Sequence, residues 1–215
     1  MKRKNLIITI LLLVSSIIFI VLLKIIDIKC SAVNNTCIGF ATINQFIFNK
    51  IGVNMTWYVI TDWLGIIPIL MSMIYAIIGL KQLIKRKSIR KVNKEIIILG
   101  IFYIIVISIY ILFEKYIINY RPILMNGFLE SSFPSSHTLM TVCLCGSSII
   151  INNKLFKNNF TKILNFLSLF IIIITIIGRF ISGVHWFTDI IGGILISSCL
   201  LMLLYSILNL NKKIY

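Results

Sequence analysis

Apolar residues fall in six long runs, roughly Asn5 to Asp27, Trp57 to Leu80, Ile96 to Glu114, Ser136 to Ile151, Leu164 to Gly178 and His185 to Leu208. An α-helix crosses a hydrocarbon core in about 20 residues, and each run reaches or nearly reaches that length. The pattern predicts an all-α integral membrane protein with six transmembrane helices. The fourth and fifth runs are the shortest, and each meets a polar motif at one end, so their ends are expected to be half submerged. With no internal repeat and no Gly/Ser linker, residues 1–215 read as a single membrane-embedded domain.

Composition sharpens this picture. A chain with 59% hydrophobic and 13% charged residues and a mean hydropathy of +1.03 cannot cover a soluble core with a polar exterior. The formal charge of +15 does not point to nucleic acid, because the basic residues fall mainly between the apolar runs. If the runs alternate in direction, fifteen of the 21 Lys and Arg residues lie on one side. The remaining six are Lys24, Lys29, Lys50, Lys115, Arg121 and Arg179. The positive-inside rule then places both termini in the cytoplasm and turns the loops after the first, third and fifth runs outward.

The opening MKRK and its apolar run are similar to a signal peptide, but the run is of full spanning length and lacks an A-x-A-like cleavage site, which predicts an uncleaved helix. Cys30, after Asp27-Ile28-Lys29, is in a poor context for lipidation. Cys30 and Cys37 share the first outer loop and could pair, whereas Cys143, Cys145 and Cys199 sit in apolar runs as packing residues. The sequons at Asn34-Asn35-Thr36 and Asn54-Met55-Thr56 are what an Asn-rich chain produces by chance, and the Ile, Asn and Lys bias hints at an AT-rich bacterial genome.

Against this apolar background the stretch GRFISGVHWFTD, Gly178 to Asp189, places an arginine, a histidine and an aspartate close together. Ionisable side chains at membrane depth cost a few kcal/mol each unless paired or wet, so they mark a functional site. Two other polar segments, FEKYIINYRP (Phe113 to Pro122) and FPSSHT (Phe133 to Thr138), emerge on the same face if the spans alternate. Pro134-Ser135-Ser136-His137 opens a helix whose free N–H groups and positive dipole end suit an anion. Arg121 and Arg179 supply planar forks for phosphoryl oxygens, and Lys115 a point charge. His185 and Asp189 are four apart, so a helix containing both would let the carboxylate accept from one imidazole nitrogen and leave the other as a nucleophile. His137 is then free to act as a general acid. The chain has two histidines, and both lie here.

Arg121-Pro122, Pro134-Ser135-Ser136-His137 and Arg179-x5-His185-x3-Asp189 resemble, in order and in the spacing of the last block, the type 2 phosphatidic acid phosphatase family, whose pattern is Lys-x6-Arg-Pro, Pro-Ser-Gly-His and Ser-Arg-x5-His-x3-Asp. The resemblance implies that His185 takes the phosphoryl group with Asp189 as its orienting partner. His137 would protonate the leaving oxygen and later activate water. Arg121, Arg179, Ser135, Ser136 and Lys115 would bind the phosphate, with no metal or other cofactor. Three departures stand out. Ser136 replaces a glycine, Gly178 replaces the serine before Arg179, and Lys115 lies six residues before Arg121 where Glu114 holds the seventh place.

The implied protein is a multi-pass bacterial plasma-membrane phosphatase with an outward-facing site. Its substrate class would be undecaprenyl diphosphate, phosphatidylglycerol phosphate or phosphatidic acid, with membrane lipids rather than nucleic acid as partners. Phosphotransfer to a lipid alcohol through the same intermediate is the alternative enzyme. A small transporter is the alternative outside enzymes, but it predicts polar residues spread through the bilayer depth rather than gathered at one face.

Overall fold

The computed structural model describes residues 2–31, 36–156 and 158–210. Asn34 and Asn35 of the first sequon, and Lys157, Lys212 and Lys213 of the charge pattern, lie outside the described residues. The chain is built from eight α-helices and one short hairpin among those residues. They are α1 (Lys2–Ile25), β1 (Lys29–Ser31), β2 (Thr36–Ile38), α2 (Ala41–Ile51), α3 (Met55–Leu64), α4 (Ile66–Arg86), α5 (Lys94–Lys115), α6 (Ser136–Leu155), α7 (Asn159–Ser182) and α8 (Phe187–Leu210). Six stretches are long and apolar enough to cross a membrane, with α3 and α4 forming one of them.

Burial divides the helices. α6 and α8 are the inner pair; α1 lies along α8, and α7 packs against both α6 and α3. On α1, Leu6, Ile10, Leu11 and Ile17 remain exposed, as apolar side chains can when the surrounding solvent is lipid. Without a hydrophobic force to join helices inside a bilayer, close packing and polar contacts between helices take over. Tyr75 on α4 donates to Asn152 on α6 at 2.7 Å, and Asn152 in turn donates to Asn165 on α7 at 3.1 Å.

The second apolar run is not one continuous helix. Pro68 has no N–H to offer the carbonyl of Leu64, and the helix breaks one turn earlier at Gly65, whose N–H is shared between the carbonyls of Thr61 and Asp62, each at 3.1 Å. The fourth and fifth runs are longer than their hydropathy indicates. α6 extends to Leu155 and α7 starts at Asn159, because helix continues through polar end residues and Asn158 caps the N–H of Thr161 at 2.8 Å.

The loop after α1 is structured rather than plain connection. Cys30 and Cys37 form a disulfide across the antiparallel β1–β2 pair. α2 follows, with the exposed Asp27 accepting from the backbone N–H of Thr42 at 2.6 Å, a bond that holds its carboxyl below the usual range. Buried Asn44 on α2 donates to Thr188 at 2.9 Å and accepts from its backbone N–H at 3.2 Å. α2 is thereby fastened to the first turn of α8, beside the polar cluster.

Candidate active site

The loop between α5 and α6, the first turn of α6, the end of α7 and the turn into α8 meet at one end of the bundle. Three contacts align them. The N–H of Ser135 donates to the carbonyl of Asp189 at 3.0 Å, the N–H of Ser132 to the carbonyl of Asn119 at 2.9 Å, and the indole N–H of Trp186 to the carbonyl of Tyr120 at 2.7 Å.

His185 is not part of a helix. Gly183, at a φ of 65°, ends α7 in the left-handed region, and α8 starts only at Phe187. The expected direct contact of Asp189 with the imidazole at helical spacing is therefore absent, and Ser132 takes its place. Nδ1 of His185 lies 3.1 Å from both the carbonyl oxygen and the hydroxyl of Ser132, and that hydroxyl donates to Oδ2 of Asp189 at 2.5 Å. A carbonyl can only accept, so Nδ1 carries the proton and the lone pair resides on Nε2.

Asp189 also accepts from the N–H of Trp186 at 2.9 Å, capping its own helix, and from Asn119 at 3.2 Å. Burial holds the His185 imidazole well below its ordinary pKa; Arg121, Arg179 and His137 push it the same way, against the Ser132 bond.

Ser135, fully buried, precedes the first turn of α6 and accepts from Thr138 at 3.1 Å, with Ser136 and His137 opening the helix. His137 and Arg179 converge on Asp62 of α3. Nε2 of His137 is 3.0 Å from Oδ1 of Asp62, and Nη2 of the fully buried Arg179 is 2.6 Å from the same oxygen. Tyr58, one turn before Asp62, lies under the Arg179 guanidinium at 4.8 Å. Arg121 is held in the loop by Glu130, through its N–H to the Glu130 carbonyl at 3.1 Å and through Nε to the carboxylate at 3.2 Å.

Lys115 is the one expected member that the structure leaves out. It is exposed at the end of α5 and lines a recess with Lys24 and Tyr116. Glu114, in the seventh place, accepts from Ser131 at 2.7 Å. One residue turns a helix by about 100°, so the missing residue in the spacing sets Glu114, itself exposed, against the Ser131 loop and turns the lysine elsewhere.

Seven buried side-chain polar atoms lack a hydrogen bond among the described residues, and six of them belong to this cluster: Arg121 Nε, which meets Glu130 as an ion pair, and Arg121 Nη1, Arg179 Nε and Nη1, His137 Nδ1 and His185 Nε2, which have neither. Buried polar atoms are otherwise almost always satisfied, and donors concentrated in this way are of the kind that suits an anion. On one flank, a cavity of about 230 Å³ has Asp62, Ser136 and His137 at its head and Ile66, Ile69, Met140 and Leu144 along its walls. On the other flank, a polar recess of about 230 Å³ is lined by Lys29, Gln45, Tyr120 and Arg121.

A family model described as the PAP2 superfamily matches residues 69–213. The chain belongs to the PAP2 superfamily. As a fold, this PAP2 chain is similar to the crystal structure of a transmembrane PAP2-type phosphatidylglycerolphosphate phosphatase from Bacillus subtilis. The TM-score is 0.59 at 17% identity, over 96% of this chain and 98% of that one. No curated protein matches the chain. It is thus a multi-pass PAP2 membrane protein of the phosphatase fold.

The motif residues of the last two blocks and Arg121 meet at this site. Asp62, Ser132 and Asn119 join them without having been singled out from the sequence. Asp62 had a signal, since an acidic residue inside an apolar run is a functional candidate in its own right. Ser132 and Asn119 had none, because only the folded loop brings them to Asp189.

Proposed function

We propose that this PAP2 protein is a lipid phosphatase that works through a phosphohistidine on His185. The observation that carries this reading is the set of five unpartnered nitrogens gathered from two arginines and two histidines. A phosphoryl group supplies oxygens to the guanidinium forks and a phosphorus centre to the free Nε2. In the first step that lone pair forms an N–P bond as the bond from phosphorus to the lipid oxygen breaks, and His137 gives that oxygen its proton. In the second, His137 takes a proton from water, the hydroxide attacks phosphorus, the N–P bond breaks and inorganic phosphate leaves. Arg121, Arg179, Ser136 and the N-terminus of α6 bind the charge that spreads over the equatorial oxygens.

The apolar walls below His137 support a lipid substrate whose chains stay in the bilayer. The distribution of basic residues supports a site facing outward in a bacterial plasma membrane. Phosphatidylglycerol phosphate, phosphatidic acid and undecaprenyl diphosphate are the candidate substrates, and the B. subtilis fold neighbour favours testing the first.

In detergent with EDTA, the purified protein is expected to release phosphate from at least one of these three lipids. Rapid quenching with ³²P-labelled substrate should trap a phosphoprotein stable to alkali and labile to acid. No release from any of them removes the proposal.

Ser132 offers a finer check. Losing its hydroxyl removes a bond to a carboxylate, of the kind worth about 1.5–3 kcal/mol, so Ser132→Ala should lower kcat roughly 10- to 100-fold with little change in KM. An unchanged kcat would mean that Ser132 does not orient His185.

A further inference from the structure

The two histidines are held in mirrored fashion. His185 is tethered through Nδ1 to Ser132, with Nε2 unpartnered, while His137 is tethered through Nε2 to Asp62, with Nδ1 unpartnered. Each imidazole therefore offers one nitrogen to the anion site and surrenders the other to an acceptor. Arg179 divides its fork in the same way, with Nη2 on Asp62 and Nε and Nη1 unpartnered.

Asp62 stands outside the motif blocks, yet α3 is shaped around this contact. Tyr58, Thr61, Asp62 and Gly65 follow the spacing that puts residues on one helical face. Tyr58 lies under the guanidinium, and Thr61 packs against Gly178, the residue just before Arg179. A Cβ on Gly178 would fall 2.4 Å from Thr61 Cγ2, so the missing side chain at this position is what lets α3 come close enough for Asp62 to reach Arg179. A Cβ on Gly65 would meet His137 Cδ2 at 3.3 Å, so the ring also lies against the helix break.

The geometry points to Asp62 as a positioning residue for the acid–base histidine, a role that rests on the phosphatase reading above. By accepting from Nε2 of His137 it directs Nδ1 to the substrate and favours the protonated ring that the first step needs. By holding Nη2 of Arg179 it aims the rest of the fork at the phosphate. The other charged or titratable groups facing His137 are Arg179 from α7, Arg121 from the loop before α6 and His185 from the turn before α8, with Tyr110 of α5 lining the adjacent cavity. α4 contributes apolar residues there. Among the described residues, Asp62 is the carboxylate that acts on this ring.

The test is the pH dependence of kcat/KM for phosphate release from dioleoyl phosphatidate and dioleoyl phosphatidylglycerol phosphate in mixed micelles, on whichever the wild type turns over. Its alkaline limb reports loss of the proton from the general acid. Asp62→Asn removes the negative charge, so that proton is lost at lower pH. The limb should move down by about one unit and kcat/KM at neutral pH should fall roughly 10- to 100-fold. Asp62→Glu should return the limb toward its wild-type position, since charge rather than shape sets it.

The Asp62 side chain is 45% exposed, so water can enter where the carboxylate was. Asp62→Ser serves as a second neutral variant if the amide disturbs packing, with folding read by thermal unfolding in detergent. A limb that stays in place in a folded neutral variant, or one that moves and is not restored by glutamate, overturns the assignment. The parent reading fails separately: if His185→Ala releases phosphate like the wild type, the phosphohistidine falls whatever Asp62 does.

Discussion

His185→Ala is expected to lower phosphate release by about 10⁴-fold or more, with the protein still folded. The loss should be this large because the variant has no second nucleophile in reach. His137 engages Asp62 through one nitrogen, and its proposed role with the other, unpartnered one is proton transfer. Folding should survive because the His185 side chain receives its bonds from one residue, Ser132, whose hydroxyl keeps Asp189 as a partner. The same environment fixes the sign of a pH effect. Burial and the neighbouring cations hold the imidazole well below its ordinary pKa of 6.5, so the free enzyme keeps the lone pair on Nε2 at and below that pH. Protonation of His185 should therefore cause no loss of kcat/KM between about pH 8 and about pH 6.5. Release within tenfold of wild type by His185→Ala, measured as inorganic phosphate from the preferred lipid, would reject the nucleophile.

What could be read from the sequence follows from which forces are local. The six spans are legible because crossing a hydrocarbon core is a demand on composition alone. Arg121, His137, Arg179, His185 and Asp189 are legible because each stands at a helix end or turn among apolar neighbours, and their order fits a known family's spacing. Relations between segments were harder to read. The His185–Asp189 spacing suggests a shared helical face, but Gly183 ends one helix and the next begins after Trp186. The imidazole therefore reaches the carboxylate through Ser132, 53 residues before it in the chain. Lys115 shows the reverse case: expected as a phosphate ligand although it lies six rather than seven residues before Arg121, it is exposed at the end of α5.

Asp62 is the instructive omission. Of the six acidic residues, only Asp62 and Asp189 lie well inside apolar runs, and Asp189 was recognised because a motif surrounds it. Asp62 carries the same physical signal without a motif. The Gly178 departure looks like the loss of a hydroxyl when read alone. In the fold, it is the place where Thr61 enters, so a missing side chain on α7 and a carboxylate on α3 are parts of one arrangement.

The second large effect concerns Arg179, where charge and shape can be separated. Its guanidinium is fully buried, lies over Tyr58 at 4.8 Å, and gives Nη2 to Asp62 while Nε and Nη1 have no partner. A lysine retains the charge but is a single point that cannot serve a carboxylate and a phosphate oxygen in the fixed directions of a planar fork. Arg179→Lys should therefore fold and lose roughly 100-fold in kcat/KM, and Arg179→Ala about 1,000-fold, the range found when a preorganised donor to transition-state charge is removed. Inhibition by orthovanadate, an analogue of that transition state, should weaken in the same order. Stability should also fall in the alanine variant, but by less than the roughly 3–5 kcal/mol of a fully buried pair, because Asp62 is half exposed and water can take up its charge. If the lysine variant binds vanadate as tightly as wild type, the fork is not a phosphate ligand, and Arg179 serves only to neutralise Asp62.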